Sequence, residues 1–356
     1  MKILITGGPV HGKIDDVKIV TNKFKGGLIA ELADQLAEYP NVDITYLTTK
    51  DSSKPKNEKI KILYHDGIYD YMNIVLAQAP KMNAVVLGAA IANLIPKTTI
   101  KGKFPSHNYK EGDSIPIEFI IAPRIIDKVK AVAPNAHLFG FKLLSNVDFP
   151  HLVDAAYDIV LHSKATTVFA NDLKDLNQVF MISKDKSVHP MKRNEIANQI
   201  IKMTSDKYYK TVLIDEYIPS DIKSDFADLI TIHKHRFKHS SNNLMFGSIA
   251  MRYKDGFICT GRGKNELEDF TFVSKVDTAN RIVYAIKKSA LNTPLINKIF
   301  QEHPEINVVI HTHNLDKPYP VQEYAIPGTV RDTERDVSVP FIIDKHGDYT
   351  WYGNDE

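Results

Sequence analysis

The sequence predicts two units: an α/β unit on a mostly parallel sheet, and an α+β unit after it. Three observations lead there. At 356 residues the chain has material for two hydrophobic cores, given about 100–200 residues per domain. Through most of the first 205 residues, short β-branched runs alternate with amphipathic stretches, the pattern of a parallel sheet covered by helices on both faces. The polar segment MTSDKYYKT, Met203 to Thr211, then gives way to hairpins and histidine-bearing strands. The boundary is expected near residue 207, with units at 1–207 and 208–356.

Each element follows from its local pattern. Ile3 to Ile5 reads as the first strand, and Leu28 to Leu36 as a helix whose apolar residues Leu28, Ile29, Leu32, Ala33 and Leu36 keep helical spacing. Further strands are expected at Asp43–Leu47, Ala84–Leu87, Leu138–Phe141, Thr167–Ala170 and Val179–Ile182. Helices are expected at Arg124–Val132, His151–Ile159 and Asn194–Met203. In the second unit Val212 to Ile214 opens as a strand, and Ser248–Tyr253, the Lys254-Asp255-Gly256 turn and Phe257–Thr260 form a hairpin. A helix at Leu291–Glu302 and strands at Val308–His311, Phe341–Ile343 and Tyr349–Tyr352 complete it.

Charge and composition narrow the function. The 45 Lys and Arg nearly cancel the 43 Asp and Glu, so a net charge of +2 gives no chain-wide attraction to phosphate backbones or anionic lipid. Neither nucleic acid nor membrane is expected as a partner. At 43% hydrophobic and 25% charged residues, wholesale disorder is excluded. The single cysteine, Cys259, rules out an internal disulfide and a cysteine-cluster zinc site. With no signal-peptide pattern after Met1 and no apolar run of about 18 residues, a cytoplasmic location is expected.

Two loops carry phosphate-handling character. Thr6 to Gly12 is a glycine-rich turn directly after the first strand, able to present backbone N–H groups to an anion. Thr21 to Gly27 then places an amide, two lysines and two glycines at a helix N-terminus, where the dipole favours anions. Between Pro96 and Pro116 lies a long stretch with little apolar periodicity, which reads as a lid carrying Lys101 and Lys103 toward a triphosphate.

Together these pieces form a resemblance. ITGGPVHGKIDDVKIVTNKFKGG at 5–27, followed in order by GAAIANLIP, GKFPS, HLFGFKLL and FANDL, resembles the phosphopantothenate–cysteine ligases of coenzyme A biosynthesis across roughly residues 1–205. The resemblance implies a Rossmann-like fold and a homodimer. It also implies activation of the 4′-phosphopantothenate carboxylate by CTP or ATP with Mg²⁺, and attack of the cysteine amine on the acyl-nucleotide. Carried over by position, Lys103 is the lid lysine facing the α-phosphate and Asn22 holds the acyl carbonyl or its oxyanion. Gly7, Gly8 and Gly26 admit the phosphates, Ala89, Ala90 and Phe141 line the base, and Asn171 closes the pocket floor. The sequence departs from the family at Asn93, where a carboxylate is usual, and at Lys23–Gly27, where a small Ser/Thr-Gly run is usual. Nucleotide preference is therefore left open between CTP and ATP.

In the second unit His311 and His313 lie two apart on a strand, so both rings project from one face and can share an ion. His346, between two short strands, can complete a three-histidine site with an open position. The strings around them, HSSNNLMFGSIAMRYKDGFICTGRG, SALNTPLINKIFQEHPEINVVIHTHN, YAIPGT and IDKHGDYTWYG, resemble a shortened class II aldolase/adducin domain. That resemblance implies Zn²⁺ or another divalent metal on His311, His313 and His346. The family's acid/base glutamate falls on Asn292, whose amide cannot move a proton, and its phosphate-site residues fall on Ser248, Ala290 and Leu291.

Three readings compete: a ligase fused to a metal-binding aldolase-like domain, a metal-dependent aldolase or sugar-phosphate epimerase on a nucleotide-binding scaffold, and a ligase with a non-catalytic oligomerisation module. A dinucleotide oxidoreductase is disfavoured by the missing GxGxxG. The run His233 to His239 has strand-compatible HxH spacing, but its interleaved cations make a solvated basic edge the expectation.

Overall fold

The computed structural model describes residues 1–184, 186–237, 245–312, 320–343 and 349–353. Contacts divide the chain into one unit of Met1–Lys184 with Pro190–Thr204 and a second of Asp185–His189 with Ser205–Glu356.

The first unit begins with β1 (Lys2–Thr6), then the short strands β2 (Pro9–Val10), β3 (Gly12–Lys13) and β4 (Ile19–Val20). There follow α1 (Gly27–Ala37), β5 (Asp43–Thr48), β6 (Lys61–Tyr64) and α2 (Ile68–Gln78). Next are β7 (Ala84–Leu87), β8 (Ala90–Ile91), β9 (Leu94–Pro96) and β10 (Phe119–Ile121). The unit closes with α3 (Ile126–Val132), β11 (His137–Leu144), α4 (Phe149–Ser163), β12 (Thr167–Asp172), β13 (Asp175–Ser183), β14 (Val188–Lys192) and α5 (Ile196–Ser205).

Eight strands form one sheet in the order β14-β13-β12-β11-β7-β1-β5-β6. From β6 across to β12 every pairing is parallel, and β13 runs antiparallel to β12. All four residues of β7 are buried, as expected of a strand covered on both faces. Ile29, Ala30, Leu32, Ala33 and Leu36 of α1 supply part of that cover, at the helical spacing visible in the sequence. The chain leaves β1 toward β5 on one side and returns to β7 on the other. The topological switch point of this Rossmann-like sheet is therefore between β1 and β7.

The second unit contains β15 (Lys210–Leu213), α6 (Ser220–His233), β16 (Ser248–Tyr253), β17 (Gly256–Thr260), β18 (Phe270–Asp277) and β19 (Ile282–Ala285). It continues with α7 (Thr293–Glu302), β20 (Val308–Thr312), β21 (Val321–Gln322), α8 (Val330–Thr333), β22 (Phe341–Ile343) and β23 (Tyr349–Gly353). Its nine-stranded mixed sheet has the order β15-β19-β18-β17-β16-β20-β23-β22-β21, with parallel pairings of β15 with β19 and of β21 with β22. Ile258 joins the cluster under α6 with Phe226, Ile230 and Phe272, whereas its neighbour Phe257 meets Phe300 of α7. Adjacent strand residues point to opposite faces, so α6 and α7 cover opposite sides of this sheet. Arg252 ties down the end of α7, donating to the carbonyls of Phe300, His303 and Ile306 at 2.9–3.0 Å.

In the His233–His239 run Lys234 and His235 are exposed, as expected of a solvated basic edge, but the backbone through Arg236 is helical and not extended. His233 is the buried last residue of α6, and Lys234–Arg236 form a 3₁₀ turn. The buried face of Phe226, Leu229, Ile230 and His233 follows helical spacing, and this outweighed the local HxH pattern. His239 lies outside the described residues.

Candidate active site

The glycine turns are assembled at the switch point. The Gly7 N–H donates to Leu47 O (3.0 Å), the Gly88 N–H to Thr6 O (3.0 Å) and the Ala90 N–H to Gly8 O (2.9 Å), so the ends of β1, β5 and β7 are stitched together by main chain. β2 then pairs with β8 in parallel, Pro9 opposite Ala90 and Val10 opposite Ile91. Gly8 and Gly26 both have positive φ, +80° and +84°. Gly26 is the N-cap of α1 and offers no side chain to that helix end. Gly7, Gly8, Gly26, Ala89 and Ala90 thus sit together at the carboxyl ends of the central strands.

Asn22 joins them. Its Nδ2 donates to the Ile91 carbonyl at 2.9 Å, and its side chain remains exposed. Asn93 is also exposed, and its carbonyl accepts from Ala122 N (2.8 Å), fastening the start of the lid to its return. Phe141 on β11 pairs in register with Phe169 on β12, their rings 5.4 Å apart. Asn171 lies opposite Leu143 at the carboxyl end of β12. Beside it, Asp172 accepts from the Asn146, Val147 and Lys174 N–H groups at 2.8–3.3 Å, which holds its carboxyl below the usual range and fixes the loop after β11.

The long stretch between Pro96 and Pro116, expected to be a lid, contains a short 3₁₀ turn at Ser106–Asn108, and Lys101 and Lys103 are both exposed. Asp15 and Asp16 join its first part to the β3–β4 hairpin. Asp15 accepts from Phe104 N at 2.9 Å, from Val17 N at 2.7 Å and from Lys18 N at 2.5 Å, with Lys18 Nζ at 3.3 Å. Asp16 accepts from Gly102 N at 2.9 Å, and the Asp16 N–H donates to Gly102 O at 3.1 Å. The hydrogen bond from Phe104, then that from Lys18, holds the Asp15 carboxyl far below the usual carboxylate range. The sequence reading missed Asp15, Asp16 and Asp172. Its available signal was an aspartate followed within two or three residues by a turn, the pattern of side chains that accept from their own backbone.

In the second unit His311 is a buried residue of β20, in register with Ser248 of β16. Asn292 is buried as well, and its amide pairs with the Ser248 hydroxyl at 3.0–3.1 Å. His313 and His346 lie outside the described residues. Among the described residues no three His, Cys, Asp or Glu side chains are grouped to hold a metal.

Residues 1–208 match the family model of the DNA/pantothenate metabolism flavoprotein C-terminal domain. The chain belongs to this family. The coenzyme A biosynthesis bifunctional protein CoaBC of Thermococcus kodakarensis is 27% identical over 207 residues, which are 56% of this chain and 49% of that relative. The chain therefore spans about half the length of the curated relative it matches. Two solved structures share the fold of this family segment. The DNA/pantothenate metabolism flavoprotein from Streptococcus pneumoniae covers 56% of this chain and 96% of its own, with 24% identity and a TM-score of 0.50. A Cab2 variant in complex with phosphopantothenate-cysteine covers 57% and 86%, with 15% identity and a TM-score of 0.51.

Proposed function

We propose that the chain is a phosphopantothenate–cysteine ligase of coenzyme A biosynthesis, acting in the cytoplasm and using CTP or ATP with Mg²⁺. The observation that carries this reading is the meeting of Gly8, Gly26 and Ala90 at the switch point, with Asn22 bonded to Ile91 beside them.

A carboxylate resists attack by an amine until one of its oxygens becomes a good leaving group, and the charge that gathers on the α-phosphate during that step needs fixed donors and cations. Gly7, Gly8 and Gly26 are required by close packing, since a Cβ would meet Tyr46 Oη at Gly7, Ser52 Oγ at Gly8 and the Gly8 nitrogen at Gly26, and the phosphates are read as docking against the main chain of this turn. Lys103 supplies the mobile cation, and its exposure leaves it free to swing onto the triphosphate. One Asn22 N–H is engaged with Ile91, which fixes the amide plane; its other N–H is directed to the acyl oxygen. Ala89, Ala90 and Phe141 receive the base, with Asn93 and Asn171 at the pocket margin. A magnesium ion bound with the nucleotide would offset triphosphate charge. The carboxylate displaces pyrophosphate from the α-phosphate, and the cysteine amine then displaces the nucleoside monophosphate from the acyl carbon, leaving the amide.

The exposed apolar face of the β9–β10 ribbon, with Leu94, Phe119 and Ile121, supports assembly as a homodimer. The second unit is read as a divergent class II aldolase/adducin-like domain, with His311, His313 and His346 as the ligands of a zinc or similar ion. Of the three, only His311 lies among the described residues. The Asn292–Ser248 pair favours a non-catalytic, assembly role for this unit, because a buried amide satisfied by a hydroxyl has no proton to give or take.

The test mixes the full chain with 4′-phosphopantothenate, cysteine, Mg²⁺ and either CTP or ATP. Pyrophosphate release dependent on both acid and amine is expected, and silence with both nucleotides overturns the reading.

A further inference from the structure

We propose that Asp15 and Asp16 are positioning residues that set the place of Lys103, so that the lysine of the lid is delivered by the β3–β4 hairpin. The inference deepens the ligase reading and rests on it for its kinetic arm.

The hydrogen bonds bracket the lysine. Gly102 on one side is bonded to Asp16 through both its N–H and its carbonyl, and Phe104 on the other donates its N–H to Asp15. Lys103 lies between two fixed peptide units, with its own side chain exposed. One turn earlier the Ile100 N–H donates to Ile14 O at 2.9 Å, and Thr99 Oγ1 to Lys13 O at 3.4 Å, so the approach to the lysine is fastened to the same hairpin. The Asp15 side chain has no exposed surface. A buried carboxylate is retained only with several donors, and here they come from two separate stretches of chain, 17–18 and 104. Lys18 Nζ, beside Asp15 and 5.9 Å from the centre of the Phe104 ring, closes the bracket from outside. The same hairpin runs on through Ile19 and Val20 to Asn22. Lys103 and Asn22 are therefore referred to one short piece of main chain, and a group needed at the phosphate and a group needed at the acyl oxygen share a frame.

The division of labour between the two Asp15 oxygens gives a specific test. Oδ1 serves the local turn at Val17 and Lys18, and Oδ2 serves Phe104. In Asp15→Asn one oxygen becomes an NH₂, which cannot accept from Phe104 while the remaining oxygen keeps the turn. The full chain, Asp15→Asn, Lys103→Ala and the double variant are compared. The kcat of Asp15→Asn is expected to fall on the order of ten-fold, the equivalent of one hydrogen bond, with KM for 4′-phosphopantothenate within about two-fold. In the Lys103→Ala background the same change is expected to alter kcat by less than about two-fold, since the tether then has no lysine to place. Tryptic cleavage after Lys101 and Lys103, read without any substrate, is expected to speed up in Asp15→Asn. Additive losses of kcat overturn the proposal, as does an unchanged cleavage rate. If the unaltered chain releases no pyrophosphate, the ligase reading falls by itself, and the cleavage rates still decide whether the aspartates hold the lid.

Discussion

A Cβ on Gly26 would stand 2.3 Å from the Gly8 backbone nitrogen, so the turn after β1 and the start of α1 touch main chain to main chain. Two segments separated by seventeen intervening residues thereby form one surface. Gly26 also has φ +84°, where a side chain is strained whatever the space around it. Gly26→Ala is expected to weaken CTP or ATP binding by at least about ten-fold, or ~1.4 kcal/mol, in a calorimetric titration.

Lys103→Ala removes an exposed side chain, so thermal stability should change by no more than about 0.5 kcal/mol. Pyrophosphate release should nevertheless fall about 100-fold, the usual consequence of removing one fixed group from a developing charge. Equal rates in the variant and the unaltered chain would place the α-phosphate elsewhere.

Asn22→Asp exchanges an N–H donor for an oxygen that faces the Ile91 carbonyl. The variant is expected to lose at least about ten-fold in kcat at every pH from 6 to 9, because the carboxylate stays ionised throughout that range. A rate recovered at high pH would contradict the donor role.

Burial, followed by the charge of His11, pulls the His65 pKa down from 6.5 to about 4. The unfolded chain therefore takes up a proton below pH 6.5 that the folded chain refuses until about pH 4. Stability from this group is complete above pH 6.5 and is lost progressively toward pH 4, on the order of 3 kcal/mol in all. Burial acts on His137 in the same direction, also to about 4. Denaturant melts across this window should steepen in the acid limb, and His65→Phe should flatten it.

Metal analysis of the dialysed full chain is expected to find about one zinc or similar ion per chain, and His311→Ala should abolish it. A metal-free preparation of the unaltered chain would remove the second unit's proposed centre.

Several elements of the first unit were legible from the period that burial imposes, although α2, with Ile68, Tyr71 and Val75 buried at helical spacing, was not read. The β1 core, the stripe of α1 and the all-buried β7 are each read directly from apolar spacing, and the structure places elements there. β6 was missed because only two of its four residues, Ile62 and Leu63, are partly buried, leaving too little alternation to read. α6 was missed because its opening turns, SDIKSD, offer only the half-buried Ile222, and its fully buried face begins at Phe226. At the site, the glycines and Asn22 were visible because motifs name residue types. The aspartates were not, because the local turn that Asp15 caps at Val17 and Lys18 is a common pattern, and its bond to Phe104, 89 residues away, leaves no mark beside it. The bond of Asn292 to Ser248 joins α7 to a strand 44 residues earlier and could not be read from spacing.

The strand β6 ends the first unit's sheet at one side, and its row of unpaired backbone groups is a template on which a second chain could add. It is only four residues long, it opens on the exposed Lys61, and exposed lysines at 54, 56 and 59 precede it. An incoming strand would have to bring its backbone against that cluster of like charge. The stretch from Lys50 to Lys61, five lysines against Asp51 and Glu58, thus places net positive charge at the open edge of the sheet, which disfavours edge-to-edge addition.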